Sequence, residues 1–408
     1  MTNRRLGDSL LKPFTRVTSS GRYVPEVDGL RGLAIVLVVF FHCHHLFRTG
    51  NEPISSTEMI AEGWTAATIF LPNFFFAKGW FGVQIFFVIS GMVLALPFAS
   101  HYLQGAAHPK VKDYFRRRLI RIEVPYIITL TFFLLYAVTF QDRLWNEMLP
   151  RYFAGLIYSH SLIYDGALNP LLWVSWTLEI EIQFYLLAPL LCTVFKIPNT
   201  LLRRGILLLA ILFIEPCVDA ANAALPSVIW RESILNQFSY FFAGILLADL
   251  YLSPKLKAIR ANPTAFIWDA VGLLAWPAAF LLLEFSPSFN LKPLALILAF
   301  LAVLNGPVLR QLFSNRWVVA VGMMCYTIYL FHNFFIYSIL QYFIFSKFVV
   351  KGDWPWNLVL MALMLVGCLI LSGLLFLVVE KPFARGKLPR LFKKSSKSSP
   401  DCNLDSIS

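Results

Sequence analysis

Charged side chains are scarce in this chain of 408 residues: they make up only 14% of it, whereas 58% of the residues are hydrophobic and 16% aromatic. Such a composition leaves too little polar surface to cover a water-soluble protein. Only six cysteines are present, and five lie inside or at the ends of apolar stretches, which indicates neither a disulfide framework nor a paired-cysteine metal site. These shortages favour a polytopic membrane protein.

No small-residue cleavage site follows the first apolar stretch, at 30–47, which therefore indicates an uncleaved span rather than a signal peptide. The net charge of +12 does not indicate a nucleic-acid partner, because most Lys and Arg residues fall in short segments between apolar stretches. We therefore predict that the chain contacts a lipid bilayer and no nucleic acid.

Ten apolar windows are long enough to cross a bilayer, which takes about 18 to 20 residues. They lie at 28–47, 80–98, 122–140, 176–195, 204–220, 231–250, 265–285, 290–308, 317–345 and 357–380. Residues 150–165 are amphipathic and shorter, and we predict an interfacial or re-entrant helix there. The predicted fold class is an all-α polytopic membrane protein with about ten transmembrane helices.

Basic residues are distributed unevenly between the segments that connect these spans. Alternate connections and the two termini hold 26 of the 35 Lys and Arg residues, which places both termini in the cytoplasm by the positive-inside rule. We predict a basic cytoplasmic segment at 1–27, a membrane domain at 28–380 and a disordered, basic cytoplasmic tail at 381–408.

The first span carries polar groups near both of its ends. Asp28 can cap the helix and pair with Arg31 three residues later. His42 follows Arg31 by eleven residues, which corresponds to about 16 Å along the axis and returns to within about 20° of the same face. Alternatively, Arg31 only reaches to the interface and His42 only makes an interhelical hydrogen bond. His42 and His45 could also hold a metal or haem, but partner ligands at helical spacing are not evident elsewhere, so we predict no metal site.

Two further apolar segments contain charged residues. In DYFRRRLIRIEVPY, Arg118 and Arg121 face the same side of a helix and could grip phosphate, although juxtamembrane arginines also serve topology and lipid headgroups. In WVSWTLEIEIQFYLLAPLL, Glu179 and Glu181 lie about 200° apart on a helix. We expect Glu181 at the depth of His42, where a carboxylate can orient an imidazole or form a structural pair, and Glu179 nearer the interface, where it stays hydrated.

Six segments occur in the order and spacing of a known family: EVDGLRGLAIVLVVFFH, GWFGVQIFFVISGMVL, YFRRRLIRIEVPYI, WTLEIEIQFYLLAPLL, YTIYLFH and VVEKP. Together they resemble the membrane-bound acyltransferase 3 family from about residue 23 to 383. Arg31 and His42 reproduce the family's Arg-x10-His hallmark, and Arg118 and Arg121 reproduce its Arg-x-x-Arg pair. The chain departs from the family pattern at three positions, Gln84, Glu179 and Ile182.

The resemblance implies an integral membrane O-acyltransferase that moves an acyl group, expected to be acetyl, from acyl-CoA to a sugar hydroxyl of a surface polysaccharide, glycolipid or related exported molecule. Acyl-CoA is then a co-substrate, and no permanently bound cofactor is expected. The expected location is the cell membrane, in several passes, and the inner membrane if the source is bacterial. The chain ends 28 residues after Glu380, so we expect no fused esterase-like domain. The alternative function is a transporter that moves a glycoconjugate or metabolite without chemistry.

The roles implied by the resemblance centre on His42, as a general base or transient acyl carrier, with Glu181 as its orienting carboxylate. Arg31, Arg118 and Arg121 are expected to bind the acyl donor. The supporting candidates are Asp28, Ser90, Trp176, Tyr185 and His332.

Replacing either arginine of the third span by alanine should weaken use of acyl-CoA more than use of a short acyl thioester that lacks the nucleotide. The physical reason is that arginine forks recognise phosphates, which the truncated donor lacks. The measurement is kcat/KM for both donors in Arg118→Ala and Arg121→Ala, and equal losses would assign these residues to folding or topology.

Overall fold

The computed structural model describes residues 23–50, 76–224, 233–260, 265–282, 290–345, 348 and 354–383. Every regular element in this part of the chain is helical, which confirms the predicted all-α class. Residues 1–22 and 384–408 lie outside the described residues, and with them most of the predicted N-terminal segment and tail.

Fifteen α-helices follow one another along the described part of the chain. They are α1 (Pro25–Gly50), α2 (Phe81–Gln104), α3 (Val111–Phe140), α4 (Trp145–Leu156), α5 (His160–Ile163), α6 (Ser175–Leu191), α7 (Thr200–Ala224), α8 (Phe238–Leu252), α9 (Pro254–Arg260), α10 (Phe266–Leu281), α11 (Lys292–Asn305), α12 (Pro307–Phe313), α13 (Arg316–Met323), α14 (Cys325–Phe334) and α15 (Trp354–Leu375). Turns of π-helix extend α14 over Phe335–Phe345 and α15 over Phe376–Glu380.

Seven of the described helices are long and apolar enough to cross a membrane, or up to nine spans if two bent helix pairs each count as one. Helix α10 is apolar but shorter, with 16 residues. The predicted count of about ten is therefore close to the number observed in the described residues.

The predicted spans 290–308 and 317–345 are not straight helices. The chain bends by 89° between α11 and α12 and by 65° between α13 and α14. At the first bend Gly306 is extended, as expected for a residue that precedes proline, and Pro307 begins α12. Asp269 accepts hydrogen bonds from the backbone N–H groups that this break leaves free, at 3.2 and 2.9 Å.

Helix α1 lies between two apolar clusters. Leu30 and Ala34 pack in the first cluster with residues of α2, α6, α8 and α11, whereas Ile35 and Val39 pack in the second with residues of α3, α14 and α15. Because helix α1 contributes to both clusters, Asp28 and His44 are buried in the interior of the bundle, and Arg31 and His42 are partly buried there.

Glycines allow several helices to approach one another at backbone distance. A Cβ atom on Gly322 of α13 would lie 1.7 Å from the carbonyl oxygen of Asp28 in α1. At the crossing of α2 and α8, a Cβ atom on Gly244 would lie 2.3 Å from the carbonyl oxygen of Val88. Small residues at such crossings are typical of helix packing in membranes, where close contact replaces the hydrophobic effect.

The substitution Gly244→Ala should destabilise the fold, because the added methyl group meets backbone and the two helices must separate. Overpacking of this kind costs about 1–3 kcal/mol. The matched control is Gly205→Ala in α7, where nothing lies within 4 Å of the added Cβ atom and the better helix former should be neutral or stabilising. Thermal unfolding in detergent measures both variants, and equal midpoints would contradict the close crossing.

Candidate active site

Arg31 and His42 lie on one continuous helix, α1, so the separation inferred from the sequence applies directly. The Arg31 Nη1 atom donates to Asp28 Oδ1 at 2.5 Å, and Asp28 is 1% exposed. Arg31 also lies within electrostatic range of Tyr185 in α6 and Cys325 in α14. The predicted local pair between Asp28 and Arg31 is therefore present, and it holds the guanidinium at the start of the helix.

His42 lies against a second histidine that is nearly three hundred residues away in sequence. The ring centroids of His42 and His332 are 4.9 Å apart, and the ring planes are tilted by 56°. The hydroxyl of Tyr337 donates to the carbonyl oxygen of His42 at 3.2 Å, which fixes the end of α1 against the helix that carries His332. The structure thus brings together the two histidines that the sequence offered as candidates.

His332 is fully buried, and its surroundings determine its tautomer. Its Nδ1 atom lies 2.8 Å from the carbonyl oxygen of Tyr329 and 3.1 Å from that of Ile328. Because carbonyl oxygens only accept hydrogen bonds, Nδ1 must carry a proton, and in the neutral ring Nε2 is then an acceptor. Within the described residues Nε2 has no hydrogen-bond partner.

Glu181 is held by two hydroxyl groups. Ser90 Oγ donates to its Oε1 atom at 2.7 Å, and the hydroxyl of Tyr185 donates to the same oxygen. From the sequence we predicted that Glu181 orients His42 and that Ser90 and Tyr185 are separate supporting residues. In the structure these three residues form one hydrogen-bonded group, and the ring partner of His42 is His332.

Glu179 is buried rather than hydrated at the interface, so that expectation was wrong. It is 2% exposed, and its Oε2 atom accepts a hydrogen bond from the backbone N–H of Ser161 at 3.0 Å. Ser161 lies in the short helix α5, so part of the segment predicted as interfacial or re-entrant folds against α6. One oxygen of this buried carboxylate is thus satisfied by the backbone of a short helix 18 residues earlier in the chain, a contact that helical spacing does not reveal.

Arg121 lies near a carboxylate that the sequence analysis did not single out. Its Nη2 atom is 4.0 Å from Oε1 of Glu380, which is 1% exposed. The other oxygen of Glu380 accepts from the backbone N–H and the hydroxyl of Thr327, at 3.1 and 2.8 Å. The available signal was a glutamate at the end of a long apolar stretch, in the segment VVEKP.

The side chain of Arg118 lies outside the described residues, and Trp176 is partly buried against the first apolar cluster.

No group of three or more His, Cys, Asp or Glu side chains in the described part of the chain is arranged to hold a metal ion. The candidate site consists of the Arg31–Asp28 pair, the Glu181 group and the two neighbouring imidazole rings. An arginine, a carboxylate and an imidazole can together bind a charged substrate and transfer a proton.

The fold and this site define a class of protein: a helical membrane protein that carries an arginine and a histidine on one face of a single helix. The Acyltransferase domain family matches residues 24–373, so the chain belongs to the acyltransferase 3 family. The family predicted from the sequence is therefore confirmed.

Curated relatives show the same resemblance at low identity. The peptidoglycan O-acetyltransferase OatA of Listeria monocytogenes is 24% identical over 338 residues, which cover 77% of this chain and 49% of the relative. The O-acetyltransferase OatA of Staphylococcus aureus is 21% identical over 402 residues, which cover 92% and 60%. The chain thus spans about half the length of the first relative and three fifths of the second. No solved structure matches the chain.

Removing the Ser90 hydroxyl should destabilise the protein through Glu181. Hydrogen bonds to charged groups contribute about 1.5–3 kcal/mol, so Ser90→Ala should lower the unfolding midpoint in detergent. The loss should be smaller in a Glu181→Gln background, because the neutral amide depends less on this donor. Ser159→Ala is the control, since that hydroxyl bonds only to the nearby carbonyl of Ile157. Equal losses in both backgrounds would show that Ser90 and Glu181 do not interact.

Proposed function

We propose that the protein is a membrane O-acyltransferase that moves an acetyl group from acetyl-CoA to a sugar hydroxyl of a surface polysaccharide, glycolipid or related exported molecule. The observation that carries this proposal is one partly buried face of α1, on which a paired arginine precedes a histidine by eleven residues. Membership of the acyltransferase 3 family supports the class of reaction.

The arginines at the start of α1 and α3 would hold the charged end of the donor. CoA carries several phosphates, and a guanidinium matches phosphate with a planar fork of donors. Asp28 pairs with Arg31 at 2.5 Å, and Glu380 lies 4.0 Å from Arg121, so two of these guanidinium groups are held in place by carboxylates. The extended pantetheine arm of CoA would then carry the thioester toward His42, about 16 Å further along the helix axis.

His42 would act as the general base of the transfer. It takes the proton of the acceptor hydroxyl as that oxygen attacks the thioester carbonyl, and the new C–O bond forms as the C–S bond breaks. The proton then passes to the departing CoA sulfur. If donor and acceptor bind in turn, His42 instead carries the acetyl group between them. Glu181, held by Ser90 and Tyr185, would supply a negative charge that opposes the positive charge developing on the imidazole.

The names of the relatives support the proposed acceptor, and the apolar helices support the proposed location. Both relatives are named as O-acetyltransferases, and one of them as a peptidoglycan O-acetyltransferase, which favours acetyl as the acyl group and a polysaccharide as the acceptor. The chain has several apolar helices that can cross a bilayer, and because a surface polysaccharide is the proposed acceptor, the cell membrane is the proposed location.

Replacing His42 by alanine should lower acetyl transfer at least about 10²-fold, because a general base normally contributes that much. His45→Ala is the matched control, since this neighbouring histidine is exposed and lies one turn further along the helix. The measurement uses purified protein in detergent, acetyl-CoA labelled in the acetyl group and soluble peptidoglycan fragments as acceptor. Retention of more than about a tenth of wild-type turnover in His42→Ala would exclude the assigned role.

The same assay separates an enzyme from the alternative transporter. An enzyme releases CoA in detergent, where no membrane separates two compartments, whereas a carrier of an unmodified glycoconjugate leaves acetyl-CoA intact. Absence of CoA release, with the protein folded and binding its acceptor, would favour the carrier.

A further inference from the structure

We propose that His332 is a positioning residue for His42: its Nε2 atom accepts the second ring N–H of His42 and so fixes the reactive nitrogen of that base. This inference rests on the proposed acyl transfer and names a contact that the proposal itself does not require. Histidines that act as bases are usually oriented by a neighbouring acceptor, most often a carboxylate. Here a second imidazole would take that place.

The Nε2 atom of His332 is a hydrogen-bond acceptor whose direction is fixed. Its ring is fully buried in α14, and its Nδ1–H is shared between two backbone carbonyls of the preceding turn. The ring therefore cannot exchange tautomers without losing these bonds, and its lone pair stays on Nε2. A buried acceptor without a partner is unfavourable, which favours a hydrogen-bond donor beside it.

The two imidazole rings lie close together, with centroids 4.9 Å apart. A ring nitrogen lies about 1 Å from its own centroid, so this separation allows two ring nitrogens to approach to roughly 3 Å, the length of an N–H···N hydrogen bond. In the geometry of the structure Nε2 of His332 has no partner among the described residues, and rotation of the His42 ring about its side-chain bonds would bring a ring N–H to that atom. The tilt of 56° excludes face-to-face stacking of the two rings.

The carboxylate of Glu181, which was expected to orient His42, has other partners. The Oε1 atom of Glu181 accepts from both Ser90 and Tyr185, and the buried Glu179 accepts from Ser161. By contrast, His332 makes the ring contact with His42 directly.

The consequence for the transfer step is a defined proton path. When the acceptor oxygen attacks, its proton moves to the free nitrogen of His42, and the second N–H of the resulting imidazolium remains bonded to Nε2 of His332. The positive charge is then stabilised by a neutral acceptor, and no proton leaves the pair until the departing CoA sulfur takes one. His332 thus ends the cycle as it began, with its proton on Nδ1.

Two conservative substitutions separate this role from a structural one. His332→Asn keeps a donor near Nδ1 for the two carbonyls but has nothing at the position of Nε2, whereas His332→Gln places an amide oxygen close to Nε2. We expect Asn to lower kcat by at least about 10²-fold with KM for acetyl-CoA unchanged within about twofold, and Gln to retain activity within about tenfold of wild type. Asn333→Ala, one residue further along, is the control for disturbance of the helix.

Wild-type kcat in His332→Asn would overturn the inference, and so would a loss in His332→Gln as large as that in His332→Asn. A parallel fall of kcat and the unfolding midpoint in all three variants would also overturn it, since this is the signature of a structural residue. The proposed function fails separately: wild-type protein would then transfer no acetyl group, or His42→Ala would be as active as wild type.

Discussion

The backbone contact between α1 and α13 is the constraint on which the site depends. Gly322 lets α13 approach the carbonyl of Asp28, in the same turn of α1 that carries Arg31. The bend that follows α13 then turns the chain into α14, and three turns further along α1 the two histidine rings meet. A larger side chain at the crossing would disturb the site, because Arg31 and His42 both lie on α1 and His332 lies on α14, the helix into which α13 leads.

Several charged groups inside the bundle are held by specific contacts with neighbouring side chains and backbone. Asp28 bonds its own helix, Glu181 bonds hydroxyls from α2 and α6, and Glu380 bonds both the backbone and the side chain of Thr327. Each contact offsets the unfavourable burial of a charged or polar group. The bond from Ser90 to Glu181 and the bonds from Thr327 to Glu380 join different helices, so these contacts also help to determine how the apolar helices are registered against one another.

Local features were predictable from the sequence, and distant pairings were not. The helical class, most spans and the pair of Asp28 with Arg31 follow from hydropathy and helical spacing. The contact of His42 with His332, the bond from Ser90 to Glu181 and the backbone cap on Glu179 join residues far apart in the chain, and helical periodicity carries no information about them. The bend at Gly306 was indicated in the sequence by the proline that follows it. It was not predicted, because mean hydropathy carries no information about backbone geometry.

Because Arg31 and His42 lie on one uninterrupted helix, the number of residues between them fixes both their separation and their relative direction. Insertion of a single residue between them would rotate the imidazole by about 100° about the helix axis and turn it away from the ring of His332. Deletion of a residue would rotate it by the same angle in the opposite direction. Evolution can therefore vary the loops around this protein by insertions and deletions, but the interval from Arg31 to His42 tolerates substitutions only.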